Sequence, residues 1–526
     1  MTRRLLISDS VRTSGEILGN SILLEDDRIL ATGSAERLQS PSMPVVHLPG
    51  ATIVPGLRDA HMHPVGYTAA LQRPSLEPAS NFEELADIVA GALRNQDPGT
   101  AITALRLDDE SLTEQQLPDR SLLDAVSIDR PILLVRYCGH VAVANTAALD
   151  LAGINRTTQD PAGGVIDRDG RGDPTGVLRE TAFEPVTAAL RPFAPPITTD
   201  QIADALTALA STGITGVGAM VATDSGLWGG ASSELDALLE AAVRSPITLK
   251  VMVIAPTPQT LREAAEKIAR AGTRVAFTGV KMFSDGSLGG HTAAMHEPFN
   301  DKPKELGTDR LDPSCAEELA REALDLGGRV AIHAIGDRAN GGVLDLMERL
   351  IASNTDPSRL RIEHASVLTE ADIARFGRLG VTASVQPAFI ASETRWLEKR
   401  LGPDRVSRTY AFRSLADAGV PLAGGSDSPV EPPHPLHGMA VARDRLGLVP
   451  NEALSAAEAL HLFTGGAGDA IGEEAGLAVG SAANLTVLDV DPVLATPDEL
   501  RRASVTGTWV DGAKVPVPES VTAWPT

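Results

Sequence analysis

The amino-acid sequence predicts an α/β protein: a (β/α)8 TIM barrel with a small composite β-sandwich domain from both termini and an insertion after the first barrel strand. Three observations favour this architecture. Both ends of the 526-residue chain consist of short strand candidates separated by turns. The middle alternates short apolar runs with helical stretches, as parallel βα units do, and one long gap interrupts this alternation.

The two chain ends have the same character. Short apolar runs recur there between turn residues, at Leu5–Ile7, Ser21–Leu24, Arg28–Leu30, Asn484–Asp489 and Ser504–Val510. Because the termini of a domain usually lie close together, we expect residues 1–52 and 474–526 to form one β-sandwich domain.

Residues 53–473 are expected to form the barrel. The strand candidates are Thr52–Leu57, Ile214–Met220, Leu249–Ile254, Val280–Phe283, Val330–Ala334, Arg361–His364, Thr382–Val385 and Leu422–Ser426. Helices are predicted between them at Ser233–Val243, Leu261–Ala271, Ala316–Leu326, Ala339–Leu350 and Thr369–Leu379. Eight strands are the number that closes such a barrel. The stretch 66–200 is too long for one crossover, so we expect an inserted subdomain there.

The composition excludes several classes of protein. Hydrophobic residues make up 43% and charged residues 22%, which is normal for a globular protein. The net charge of −23 argues against a nucleic-acid partner, which usually demands a basic surface. Two distant cysteines, Cys138 and Cys315, make no disulfide framework. We find no signal peptide and no membrane-spanning stretch, so we expect a cytoplasmic enzyme with a small-molecule substrate; a homodimer is left open.

The strongest local signal is the segment Pro55–Pro64, which reads Pro-Gly-Leu-Arg-Asp-Ala-His-Met-His-Pro. In an extended strand, residues i and i+2 point to the same face, so His61 and His63 can offer two imidazoles to one ion. Taken alone the pair is weak, because such histidines are often ordinary core or surface residues. Its position at the end of the first barrel strand strengthens it, since barrel active sites lie at the carboxyl ends of the strands.

Four further polar residues occupy comparable places. Lys281, one of only seven lysines, lies inside an apolar strand candidate. His333 and His364 end two other candidates, and Asp427 ends a fourth. Each has an ordinary alternative: a lysine at the barrel rim, a hydrogen-bonded core histidine, or a turn or helix cap. Because all six residues fall at predicted strand ends, a shared site is favoured over six separate structural roles.

This set of side chains suits two borderline divalent ions. Imidazole and carboxylate ligands match zinc first, with manganese, iron or nickel as alternatives. An ammonium is a poor bridge between cations, but a Lys281 side chain carboxylated by CO2 is a carboxylate that can span both. A metal-bound hydroxide is a nucleophile at neutral pH, because the ions lower the pKa of water. Asp427 is then the candidate catalytic residue, which takes the proton of the hydroxide and passes it to the leaving nitrogen.

Five segments, taken in order, resemble the amidohydrolase superfamily, in particular the amidohydrolase family 3 branch of N-substituted formamide deformylase-like enzymes. These segments are Pro55–His63, Val280–Gly289, His333–Ala339, Arg361–Ala365 and Gly425–Val430. The resemblance extends nearly end to end and implies a barrel that carries a composite β domain and a two-metal centre. The implied ligands are His61, His63 and Asp427 for one metal, His333 and His364 for the second, and carboxylated Lys281 as the bridge.

The same resemblance gives three candidate substrate contacts. Cys138–Asn145 is similar to a Gly-His…Asn stretch of the branch, so His140 is one candidate, with a structural role as the alternative. Asp285 lies in a Gly-rich turn after the lysine strand and is the second, although such turns are usually only turns. His291 stands where the branch often has an arginine, and it is the third.

The favoured function is therefore metal-dependent hydrolysis of a C–N bond in a small amide, formamide, cyclic amide or N-acyl compound. Ester, lactone or phosphoester hydrolysis is the alternative, because the same hydroxide attacks those electrophiles too, and a hydrolytic deaminase is less favoured. A non-catalytic metal-binding regulator is a third reading. The intact set of candidate ligands argues against it.

Overall fold

The computed structural model describes residues 2–161, 163–194, 197–224 and 233–517, and they form the predicted fold class. The strands are β1 (Arg3–Arg12), β2 (Ile17–Glu25), β3 (Arg28–Gly33), β4 (Val45–Pro55), β5 (Leu57–Met62), β6 (Ile102–Leu107), β7 (Ile132–Arg136), β8 (Val141–Ala144), β9 (Gly164–Arg168), β10 (Pro174–Glu180), β11 (Ile214–Ala222), β12 (Thr248–Ile254), β13 (Val275–Phe283), β14 (Arg329–Ala334), β15 (Leu360–His364), β16 (Thr382–Val385), β17 (Leu422–Gly424), β18 (Leu485–Leu488), β19 (Val505–Val510) and β20 (Ala513–Lys514).

The α-helices are α1 (Ala35–Leu38), α2 (Pro64–Gln72), α3 (Phe82–Asn95), α4 (Arg120–Val126), α5 (Thr146–Leu151), α6 (Glu184–Leu190), α7 (Thr199–Leu209), α8 (Glu234–Ala242), α9 (Pro258–Ala269), α10 (Pro313–Asp325), α11 (Asp337–Ala352), α12 (Glu370–Leu379), α13 (Phe389–Val406), α14 (Phe412–Asp417), α15 (Pro435–Asp444), α16 (Ala456–His461), α17 (Ala467–Ile471) and α18 (Pro497–Arg502). The five predicted helices correspond to α8–α12. Side-chain caps fix where these helices begin. Thr257 accepts from the Thr260 amide ahead of α9, and Thr369 forms a capping box with Asp372 in α12.

The barrel is an eight-stranded parallel sheet in the order β5-β11-β12-β13-β14-β15-β16-β17. Two backbone hydrogen bonds join its first strand to the segment after its last. The Asp427 amide donates to the His61 carbonyl at 2.7 Å, and the His63 amide donates to the Ser428 carbonyl at 2.7 Å. The sheet therefore closes at its carboxyl end, where parallel-barrel active sites lie.

The first barrel strand is displaced from its prediction. Thr52–Pro55 belongs to β4 of another sheet, where Ile53 pairs with Val11 and Val487, and the barrel strand proper is β5. The chain passes from one sheet to the next at Gly56. A Cβ atom there would lie 2.4 Å from the Thr215 hydroxyl oxygen, so only glycine permits this close approach. One continuous apolar segment thus contributes strands to two sheets. The spacing of its apolar residues does not show where one strand ends and the next begins.

Both chain ends contribute to a seven-stranded sheet in the order β20-β19-β18-β4-β1-β2-β3. The sheet curls, because the amide of Ile29 in β3 donates to the Ser481 carbonyl just ahead of β18. Its enclosed side chains form a separate core that includes Leu24, Ile53 and Trp509. Residues 518–526 of the predicted terminal domain lie outside the described residues.

The insertion between β5 and β11 has its own five-stranded sheet, in the order β6-β7-β8-β10-β9. Alternate residues of β7 enter different cores, because successive strand residues point to opposite faces. Ile132 and Leu134 pack in one core with Leu85 of α3, whereas Leu133 packs in the other with Val186 of α6. No helix in the described ranges has both the length and the apolar character needed to cross a membrane.

Candidate metal centre

The six predicted ligand residues come from five barrel strands. His61 lies in β5, and His63 follows its end. Lys281 lies in β13, whereas His333 and His364 lie at the ends of β14 and β15. Asp427 follows β17 in a left-handed backbone conformation, with φ of 56°. The imidazole rings are consecutive neighbours: centroid distances are 5.7 Å for His63–His61, 5.1 Å for His61–His364 and 4.5 Å for His364–His333.

The Asp427 carboxylate lies close to two of these histidines. Asp427 Oδ1 lies 3.2 Å from His61 Nε2 and 3.3 Å from His63 Nε2. Ligand atoms about 2.0–2.1 Å from a tetrahedral zinc ion lie roughly 3.3 Å apart, so these distances match two edges of a coordination tetrahedron. The residues present therefore fit a divalent ion.

A hydrogen bond at Nδ1 of His364 leaves its Nε2 available to bind a metal ion. Its Nδ1 lies 2.7 Å from the Gln386 amide oxygen, which can only accept, so Nδ1 carries the proton and Nε2 the lone pair. Nε2 is buried and has no hydrogen-bond partner in the described chain. A buried lone pair without a partner is costly unless an ion or water binds it. One ligand atom each of His61, His364 and Asp427 lie within 4.8 Å of one another.

His333 presents the opposite nitrogen. Its Nε2 lies 3.0 Å from the Gly286 carbonyl oxygen, which accepts only, so Nε2 carries the proton. The lone pair available to a metal is therefore on Nδ1.

Lys281 is 1% exposed, and its Nζ lies 3.2 Å from His61 Nε2 and 4.7 Å from the centre of the Phe283 ring. Burial lowers the pKa of Lys281 to about 8, although Glu363 and Asp427 act in the opposite direction. Burial raises the pKa of Asp427, but His61 and His63 outweigh it and hold this pKa well below its usual range. The centre thus combines a carboxylate with an amine whose pKa is lowered by burial.

A buried ion pair lies behind His61, and sequence reasoning missed it. His61 Nδ1 donates to Glu363 Oε2 at 2.6 Å, so Nε2 faces Asp427. Glu363 Oε1 lies 2.6 Å from Arg361 Nε without the alignment of a hydrogen bond, and both side chains are at most 2% exposed. Arg361 also donates to two backbone carbonyls. Two charges at i and i+2 of an apolar strand were the available signal.

The three candidate substrate contacts have different surroundings. The Asp285 carboxylate is fully buried and accepts from the amides of Ala294, Ile335 and Gly336 at 2.8–3.0 Å, so it ties two loops together. His291 Nε2 lies 3.1 Å from Asp301 in a loop contact. These two residues have structural partners and are not among the residues that line the cavity described below, and their contact with substrate stays a prediction.

His140, in contrast, lines a cavity of about 600 Å³ at the carboxyl end of the barrel. The size is that of a small-molecule site. Its wall combines ligand residues with side chains of the insertion and of strands β11–β13. Lining residues that bear on the site are His63, His140, Lys281, His333, His364, Asp427, Glu180, Phe183, Phe283 and Arg310.

A protein-family model described as the amidohydrolase family matches residues 45–516. YtcJ of Bacillus subtilis (strain 168) is 33% identical over 512 residues, which cover 94% of this chain and 95% of YtcJ. N-substituted formamide deformylase of Arthrobacter pascens is 29% identical over 543 residues, which cover 97% of both chains.

Among solved structures, an uncharacterized metal-dependent hydrolase from Pyrococcus furiosus is similar at a TM-score of 0.71 and 29% identity. The match covers 93% of this chain and 100% of that one. The likeness therefore extends over the terminal sheet and the insertion as well as the barrel.

Proposed function

The chain belongs to the amidohydrolase family, and on that premise we propose that it hydrolyses a C–N bond of a small amide, formamide, cyclic amide or N-acyl compound. The observation that carries the proposal is the group formed by His61, His364 and Asp427, whose ligand atoms lie within 4.8 Å of one another beside a cavity that His364 and Asp427 line. The similarity to an N-substituted formamide deformylase supports the choice of a C–N bond.

We assign His61, His63 and Asp427 to one ion and His333 and His364 to a second, with zinc as the metal. The two sets are neighbours, because one ligand atom of His364 lies within 4.8 Å of ligand atoms of His61 and Asp427. When bound, the metal supplies Lewis acidity, which polarises a carbonyl group and makes water acidic enough to attack it at neutral pH.

Lys281 is proposed to carry a carboxylate. Its uncharged amine adds to CO2, which forms an N–C bond and releases one proton, and the product is an anion on a buried side chain. The surroundings favour it: Nζ is in contact with His61, and a permanent ammonium in that place would lie beside two cations.

Asp427 is proposed to move the proton. Its side chain is 13% exposed and lies beside His61 and His63, so it can accept a proton from water and return it to the leaving nitrogen.

The test is metal analysis followed by a substrate panel. Purified protein should contain one to two equivalents of zinc, and activity should disappear with a chelator and return with metal. Metal-replete enzyme is then assayed against matched N-formyl, N-acyl and ester compounds. Turnover of amides supports the proposal. Turnover of esters alone, or full amide turnover by metal-free protein, contradicts it.

A further inference from the structure

Residues 427–430 form a turn shortly after the last barrel strand, and we call it the Asp427 turn. At its beginning, the Asp427 amide donates to the His61 carbonyl of β5 at 2.7 Å. The Val430 amide then donates to the Asp427 carbonyl at 2.9 Å, which closes the turn. The last two residues, Pro429 and Val430, form part of the cavity wall. The first half of the turn is therefore fixed to the barrel.

Arg106 of the insertion holds the second half of this turn. Its Nη1 donates to the Val430 carbonyl at 3.0 Å and to the Pro429 carbonyl at 3.3 Å. Its two other nitrogens bind Glu77: Nε donates to Oε2 at 2.9 Å, and Nη2 donates to Oε1 at 3.0 Å. Because a bidentate pair fixes the plane of a guanidinium, Nη1 is held in the direction of the two carbonyls.

A β-bulge directs the Arg106 side chain towards the barrel. Between Ala104 and Leu107, β6 has one residue more than its partner β7, and Arg106 lies in this bulge with φ of 64°. Bulges redirect side chains and are common beside active sites. A left-handed conformation costs energy at a residue other than glycine and persists where surrounding contacts fix it. The side chain that results is 12% exposed and joins the insertion to the Asp427 turn.

We propose that Arg106 is a positioning residue, which fixes the Asp427 carboxylate through the Asp427 turn and thereby sets the rate of proton transfer. The inference rests on the proposed function, in which Asp427 moves the proton. Arg106 is not among the residues that line the cavity, so it acts through the turn and not on the substrate. A base must lie within hydrogen-bond reach of the proton that it takes, and a displacement of about 1 Å can cost about 10²-fold in rate.

The first experiment is a double-mutant cycle between Arg106 and Asp427, in full-length enzyme at saturating zinc with an N-alkylformamide or N-acyl amine. Arg106→Met should lower kcat about 10–100-fold when Asp427 is present, but about twofold or less in Asp427→Asn. A residue that acts through a carboxylate has no further effect once the carboxylate is gone. Arg106→Lys should keep more of kcat than Arg106→Met, since an ammonium still donates to a carbonyl but lacks the fork that binds Glu77. Equal losses with and without the carboxylate would overturn the inference.

Arg179→Met is the matched control. Arg179 also belongs to the insertion, is 12% exposed and binds a carboxylate, that of Asp167, through two nitrogens. Its Nη1 donates at 2.9 Å to the carbonyl of Gly290, in the loop after β13. This arginine therefore docks the insertion in the same manner without contact to the Asp427 turn. Its loss in kcat, whatever its size, should be the same with and without the Asp427 carboxylate.

A second readout does not depend on activity. Hydrogen exchange in the peptide that covers residues 427–431 should be up to about tenfold faster in Arg106→Met, because the hydrogen bonds of the turn open more often. Arg179→Met should leave the exchange of this peptide at the wild-type rate. A wild-type rate in Arg106→Met would show that Arg106 does not hold the turn, and the inference would be wrong. Absence of amide turnover in the wild-type enzyme would instead contradict the proposed function, while the exchange rates still decide whether Arg106 holds the turn.

Discussion

Replacing Glu363 by glutamine removes one charge from the most deeply buried ion pair beside the metal centre. The carboxylate has 0% exposed side-chain surface and lies 2.6 Å from both His61 Nδ1 and Arg361 Nε. Glutamine can still accept from His61, but it leaves the guanidinium of Arg361 without its counter-charge. Breaking a buried pair in this way costs about 3–5 kcal/mol, a large fraction of the roughly 5–15 kcal/mol that stabilises a typical domain.

The same substitution should weaken metal binding. A carboxylate that accepts from a ligand histidine raises the basicity of the ring and fixes its orientation, and its loss typically costs 10–100-fold in affinity, or about 1.4–2.7 kcal/mol. Zinc titration of the apo-enzyme measures the loss of zinc affinity, and denaturant unfolding of the apo-enzyme measures the loss of stability. Glu370→Gln, at an exposed glutamate at the start of α12, is the control.

A double variant separates the two effects. Glu363→Gln combined with Arg361→Met removes both charges, so it should regain much of the stability but not the zinc affinity. If Glu363→Gln alone kept wild-type zinc affinity and stability, the carboxylate would neither orient His61 nor balance Arg361, and the reasoning would be wrong.

Three further outcomes follow from the site. Asp427→Asn should keep its fold and much of its metal but lose about 10²–10⁴ in turnover, because an amide cannot take the proton; near-normal turnover would exclude Asp427 as the base. Lys281→Ala should lose at least one metal and nearly all activity, with partial rescue by a short carboxylic acid, and native mass spectrometry should find one added CO2 on the wild-type protein. An unmodified Lys281 in fully active enzyme would contradict the bridge. Gly286→Ala should reduce zinc content, since the added Cβ would clash with Glu180 and displace the carbonyl that binds His333; a wild-type zinc content would show that the loop yields freely.

The sequence predicted the parts of this molecule that depend on local pattern and on barrel geometry. Periodicity located seven of the eight barrel strands. The rule that active sites lie at the carboxyl ends of strands selected the candidate ligands from among the eleven histidines and many carboxylates of the chain, and the structure brings these side chains near one another. Periodicity misplaced the first barrel strand, because the apolar pattern is continuous there. Nothing in the local sequence distinguishes Thr52–Pro55, which lies in one sheet, from Leu57–Met62, which lies in the next.

The partners of the ligand residues could not be predicted. Glu363 and Gln386 act through contacts between segments that are far apart in the chain, and each looks locally like an ordinary polar residue of a strand or strand end. Asp285 is the opposite case, a residue that looks like a substrate contact in the sequence and has structural partners in the fold. A carboxylate in a glycine-rich turn resembles a pocket residue in sequence, whereas three backbone amides from distant loops bind it in the structure.

The division of the cavity wall between two structural units has an evolutionary consequence. Five strand ends that carry candidate metal ligands belong to the barrel, whereas His140 and Glu180 belong to the insertion, which has its own sheet and cores. The insertion can therefore change in sequence without altering the barrel residues of the candidate metal centre. Relatives that share these barrel residues and differ in the insertion would be expected to retain one reaction chemistry while diverging in the compounds they consume.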